Sequence, residues 1–184
     1  NTISLNGVLG EKSDFHADIK APNLHGLLPH LKAGLNGKVR LQGKLTEPSL
    51  DLDLVANDVA YNQFKLQNLT AKGKISSENM VQGALDIGLR QFSYGEVKVE
   101  QANLVASGSE ASHSLKWTSK GDPVAANLEL TGKFDRASET WLGQLSHINI
   151  HSPVGEWKND KAVQVNYDNK QMNANISAHC WNNP

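Results

Sequence analysis

The run Leu35-Asn36-Gly37-Lys38-Val39-Arg40-Leu41-Gln42-Gly43-Lys44-Leu45 decides the fold class. Every odd position is apolar or glycine, and every even one is Asn, Lys, Arg or Gln. A period of two sends successive side chains to opposite faces of a β-strand, so this run is a strand with one apolar and one polar face. The same alternation continues outward. Upstream it appears at Thr2–Asn6 and Phe15–Ala21; downstream at Leu50–Leu54, Leu69–Ile75, Val81–Ile87, Val97–Val99 and Ala102–Gly108. It returns at His113–Trp117, Val124–Phe134, Trp141–Leu145, Val163–Val165 and Met172–Cys180. The pattern predicts about a dozen half-buried strands of six to eight residues.

Turn signals separate these runs at Thr46-Glu47-Pro48, Asn57-Asp58, Ser76–Asn79, Lys120–Pro123, Ser152-Pro153 and Tyr167–Lys170. The connections are too short for helical crossovers, so neighbouring strands are expected to run antiparallel, up and down. One stretch has helical spacing, with Leu24, Leu27, Leu28 and Leu31 apolar. It predicts one short helix near residues 23–31, limited by Gly26 and Pro29, that caps a sheet edge. A loose apolar–x–Gly–x–apolar repeat recurs around Gly7, Gly43, Gly83, Gly132 and Gly143. Glycine on the apolar face leaves space and lets a strand bend, which would curve the sheet.

The chain has 184 residues, 39% hydrophobic and 20% charged, which is the composition of a folded segment rather than a disordered one. Eighteen basic and 19 acidic residues leave no positive excess to meet phosphates, so nucleic acid is not an expected partner. No apolar run approaches the roughly 20 residues that span a bilayer as a helix. The chain opens at Asn1 without Met or a signal peptide. Residues 1–184 are therefore expected to be a single segment, cut at both ends from something longer.

No enzyme chemistry emerges. There is no nucleophile elbow, P-loop or dinucleotide fingerprint. His147 and His151 are four apart but lie in a strand-and-turn context, and His179 and Cys180, being adjacent, would face opposite sides. The histidines therefore read as surface or rim residues, with no metal and no cofactor expected. Asp51/Asp53 and Asp14/Asp18 read as solvent-facing carboxylates rather than an acid–base pair. Asn68-Leu69-Thr70 and Asn175-Ile176-Ser177 match only a short glycosylation pattern. Trp117 and Trp141 stand at apolar positions, equally able to line a groove or fill a core.

An apolar sheet face must be covered. It can pack on a second sheet, close into a barrel, or curl into a trough open to an apolar ligand. A dozen strands about 4.8 Å apart would form a trough on the order of 60 Å long. Each methylene held there gains about 0.8 kcal/mol over water, which suits carriage rather than catalysis.

Three stretches resemble the TamB-type translocation-and-assembly subunits of the AsmA-like group. They are Ala21–Leu24 through Leu28-Pro29 to Gly37; Leu41–Leu45 through Pro48 to Leu54; and Trp141–Leu145 with Ser152–Trp157 and Ala178–Trp181. The resemblance implies an all-β fold: a long antiparallel meander curled into an open U-shaped groove, the β-taco, with an apolar interior. It implies a periplasmic location, with the full-length protein anchored in the inner membrane. It implies phospholipid as cargo, the outer-membrane barrel TamA as partner, and flanking segments of the same long chain continuing the groove. In such proteins a second Cys follows the Cys-Trp pair, so the resemblance implies that Cys180, with the sequence stopping at Pro184, lacks that partner here. Alternation and resemblance together assign the groove lining to Leu41, Leu52, Leu54, Leu85, Ile87, Leu104, Leu128, Leu130, Val163, Val165 and Ile176. The function expected is shielding of phospholipid acyl chains in transit between inner and outer membrane. The alternative is a β-sandwich or scaffold that assists outer-membrane protein assembly by strand pairing.

Overall fold

Alternation of apolar and polar residues gives each strand one face to bury, and mostly hairpin-length connections pair each strand with its predecessor as far as β11. The computed structural model describes residues 1–26, 28–122, 125–152, 155–159, 161–177 and 181–182. Its fourteen strands are β1 (Thr2–Val8), β2 (Ser13–Ala21), β3 (Lys32–Lys44), β4 (Glu47–Tyr61), β5 (Phe64–Ser76), β6 (Gln82–Tyr94), β7 (Val97–Ser109), β8 (Ser112–Asp122), β9 (Ala125–Asp135), β10 (Thr140–Ser152), β11 (Gly155–Asn159), β12 (Val163–Asp168), β13 (Asn173–Ile176) and β14 (Trp181–Asn182). All belong to one antiparallel sheet, ordered strictly as in the chain from β1 to β10. Beyond β10 the sheet forks. The first half of β10 pairs with β12, the second half with β11. β13 continues from β12, and β14 from β11. No described strand joins the two ends, so the sheet is open and not a barrel.

Most strands are longer than the alternation predicts, because they run on through bulges. Val97–Val99 and Ala102–Gly108 are one strand, β7, and Asn57-Asp58 is a bulge within β4 rather than a turn. The apolar series steps by three rather than two at Ala56/Val59, Leu66/Leu69, Leu89/Phe92, Val99/Ala102 and Leu145/Ile148. At those same levels the ladder skips or slips. Asp58, Gln91 and His147 take left-handed φ values of 50°, 51° and 50°. A bulge shifts the inside–outside phase of a strand by one residue. The sequence shifts by one at the same place, the two cancel, and the apolar series stays on one face. These irregularities line up across neighbouring strands as a crease transverse to them.

The predicted helix near residues 23–31 does not form. Gly26 and His30 have φ of 88° and 64°, which no α-helix accommodates. The Leu31 amide donates to the Leu28 carbonyl across Pro29-His30, the pattern of a tight turn with proline second and a left-handed residue third. Leu24 instead donates to Ala33, and the segment is a loop between β2 and β3. Leu27 lies outside the described residues, as do Pro123, Val124, Pro153, Val154, His179 and Cys180, and with them the expectation about Cys180.

On the polar face, cross-strand neighbours alternate in sign: Asp18, Lys38, Asp53, Lys72 and Asp86 form one row. Lys72 approaches Asp53 at 3.6 Å, and Lys74 approaches Asp51 at 3.9 Å. The carboxylates Asp51 and Asp53 are therefore exposed ion-pair members, and Asp14 is held by Arg40 at 3.1 Å.

Candidate functional site

Paired residues in an antiparallel ladder share a face, so the register builds the apolar surface row by row. One row runs Val39, Leu52, Gly73, Leu85, Ala106, Leu115, Leu130, Leu145, Val163. The next, two residues along each strand, runs Leu54, Ala71, Ile87, Leu104, Trp117, Leu128. On the other side lies Leu41, Leu50, Ile75, Gly83, Gly108, His113, Gly132, Gly143, Val165, Ile176. All eleven positions named from sequence thus fall on one continuous face. Val163 is buried, Ile176 is 68% exposed at the forked end, and the other nine are half-buried.

Nothing among the described residues covers this face. Among the described residues, buried hydrophobic side chains number only five: Ala21, Leu66, Ala102, Ile148 and Val163. The chain exposes 12254 Å², whereas a compact protein of 20.0 kDa exposes about 8,700 Å². The surplus is what a single-layer sheet leaves open.

The third row explains the glycine repeat. Gly83 and Gly108 stand side by side in it, as do Gly132 and Gly143 beyond His113, and Gly7 begins it, while Gly43 lies one row further out. The indole of Trp141 lies across the gap left by Gly132 and Gly143; a methyl group on Gly132 would come within 2.6 Å of the ring. Trp141 Nε1–H donates to His113 Nε2 at 2.8 Å, and the two rings stack with centroids 6.1 Å apart. The tautomer follows from the partners. The Ser109 carbonyl can only accept, so His113 Nδ1–H donates to it over 3.0 Å, leaving Nε2 to accept from the indole. His113 is therefore part of the apolar face and not a surface histidine. The signal was its parity with Leu115 and Trp117. His147 and His151 are exposed on β10, as expected.

A concave section of about 420 Å³ lies on this face. Its floor is Ile75, Leu85, Ala106, Leu115 and Leu130, and Trp141 and His113 close one end. Val81, Ser109 and Glu110 form its rim. The hairpin tips at this rim are laced together by backbone hydrogen bonds: Ser77 to Pro48, Glu110 to Val81, Phe134 to Glu110, and Asn169 to Glu139. Arg136 Nε–H, on the β9–β10 tip, donates to the Glu110 carboxylate at 2.8 Å. Among the described residues, no three His, Cys, Asp or Glu side chains converge as metal ligands, and no helix is long and apolar enough to cross a membrane.

The family model described as "TamB, N-terminal domain" matches residues 1–184. The chain belongs to the TamB N-terminal domain family. It is similar to "Translocation and assembly module subunit TamB" of Haemophilus influenzae, at 42% identity over the whole chain and 14% of that protein. It is also similar to an uncharacterized protein of Buchnera aphidicola, at 22% identity over 91% of the chain and 17% of that protein. The chain thus spans about a sixth or less of the length of these two relatives. No solved structure matches it.

Proposed function

We propose that this sheet is a groove segment that shields phospholipid acyl chains moving between the inner and outer membranes, within a periplasmic TamB-type protein that supports outer-membrane biogenesis. The observation that carries the reading is the uncovered apolar face: eleven in-register aliphatic positions with no second layer over them. An exposed apolar surface of this extent in a folded chain marks a binding site. The membership of the TamB N-terminal domain family, and the relative's name as a translocation and assembly module subunit, support the setting. On this reading the whole protein is anchored in the inner membrane and meets an outer-membrane barrel such as TamA. Flanking segments prolong the groove.

Lipid extraction and native mass spectrometry of the purified chain test the proposal. Co-purified phospholipid, or uptake of a fluorescent phospholipid, is expected. Leu85→Arg and Leu130→Asp should abolish it while strand content by far-UV circular dichroism is kept. A lipid-free chain that also refuses added lipid would contradict the assignment.

A second reading, capture of client strands, draws on the β1 edge, whose residues Thr2 to Val8 are all exposed. It predicts binding of β-strand peptides that persists in Leu85→Arg.

A further inference from the structure

We propose that Arg136 binds the phosphate of a phospholipid whose acyl chain lies in the Leu85–Leu130 trough, with Glu110 as its positioning residue. This rests on the reading of the trough as a lipid site and names where the headgroup is held. The trough is apolar except at the rim, where Glu110 forms part of its wall. The Glu110 side chain is only 17% exposed, and a carboxylate so covered requires a cationic partner. Arg136 supplies it from the next hairpin tip, and the bond runs through Nε. That geometry uses one of five guanidinium N–H donors and leaves the four on the terminal nitrogens for another anion. The side chain is 55% exposed, so that anion can reach it.

The position of the pair is fixed rather than incidental. The Glu110 amide donates to the Val81 carbonyl at 2.8 Å, and its carbonyl accepts from Phe134 at 2.6 Å. Glu110 is thereby pinned between the hairpin tips on either side, and Arg136 is held beside the mouth of the trough before any ligand arrives. A lipid tail lying on Leu85, Leu115 and Leu130 must leave its headgroup where the apolar wall ends. The phosphate diester of a phospholipid carries the charge that a preorganised guanidinium recognises.

The test titrates the 184-residue chain with two lipids that share one pyrene-labelled tail, a phosphatidylethanolamine and the corresponding diacylglycerol. Arg136→Gln is expected to weaken the phosphatidylethanolamine about tenfold and leave the diacylglycerol within about twofold. Glu110→Gln should do the same to a smaller degree, and Leu130→Asp should weaken both lipids. Inorganic phosphate should displace neither. An unchanged ratio of the two affinities in Arg136→Gln, even with a lowered Tm, would reduce the ion pair to a tie between hairpins and overturn the headgroup site alone. Displacement by inorganic phosphate would overturn it in favour of a free-anion site. Failure of the unmodified chain to bind either lipid would overturn the trough reading as well.

Discussion

At Gly143 a methyl group has nowhere to go, because the Trp141 indole already occupies its place. Gly143→Ala should push that ring aside, break its bond to His113 and cost about 1–3 kcal/mol by overpacking. A thermal melt reads the loss, and a red-shifted tryptophan emission would accompany it. An unaltered Tm would show that the ring has room to spare. Sequence placed Trp141 and His113 at apolar parity but left the tryptophan between groove and core, and read the histidine as a surface or rim residue. Parity fixes the face a side chain occupies, not the partner it finds there. The indole–imidazole bond depends on β8 and β10 flanking β9 in register, which a single strand's pattern does not contain. Asp14 was legible as a solvated carboxylate, and the Arg40 guanidinium that donates to it holds its carboxyl below the ordinary value of 3.8. A depressed carboxyl contributes stability in full above that value and loses it as pH falls through the lower folded one. Melts below pH 3.8 should therefore be less acid-sensitive in Asp14→Asn than in the unmodified chain.

Strand phase is the matter at the scale of the element. Alternation made the fold class, the antiparallel order and the polar and apolar faces legible. It failed at the crease, because a step of three in the apolar series was read as the end of a strand or as a turn. In physical terms a step of three is what a one-residue bulge requires if the apolar face is to continue. Gln91, left-handed at φ 51°, tests this. Gln91→Gly should be neutral or slightly stabilising, since glycine adopts that conformation without steric cost. Gln91→Val should cost about 1–3 kcal/mol, because a β-branched residue is strained there. Equal denaturation midpoints for the two would argue that the crease carries no conformational demand. The helix expected near residues 23–31 failed for a related reason. Its leucine spacing was right, but Gly26, Pro29 and His30 impose turns, and local backbone geometry overrode the period.

For the whole molecule, the 12254 Å² of accessible surface sets the problem: a sheet with five buried hydrophobic side chains among its described residues cannot owe its stability to a shared core. Its cohesion comes from the ladders, each strand held by its neighbours, so an unpaired edge is its weakest point. The isolated chain is expected to self-associate through β1, where Ile3, Leu5 and Val8 are exposed beside free backbone groups. Leu5→Lys should shift sedimentation toward the monomer. Persistence of the same oligomer would point to the apolar face as the contact instead.

The lacing of hairpin tips gives the sheet a bound side and a loose side. From Pro48 to Asn169, backbone bonds sew one margin into a continuous hem, whereas at the opposite margin no described backbone bond ties one hairpin tip to the next. Amide exchange should be slow along the hem and fast around residues 62–63 and 95–96. A limited protease should cut at the loose side first. If the trough ever gapes to admit a ligand broader than itself, it will do so like a coat fastened down one seam, by letting the unsewn margin swing.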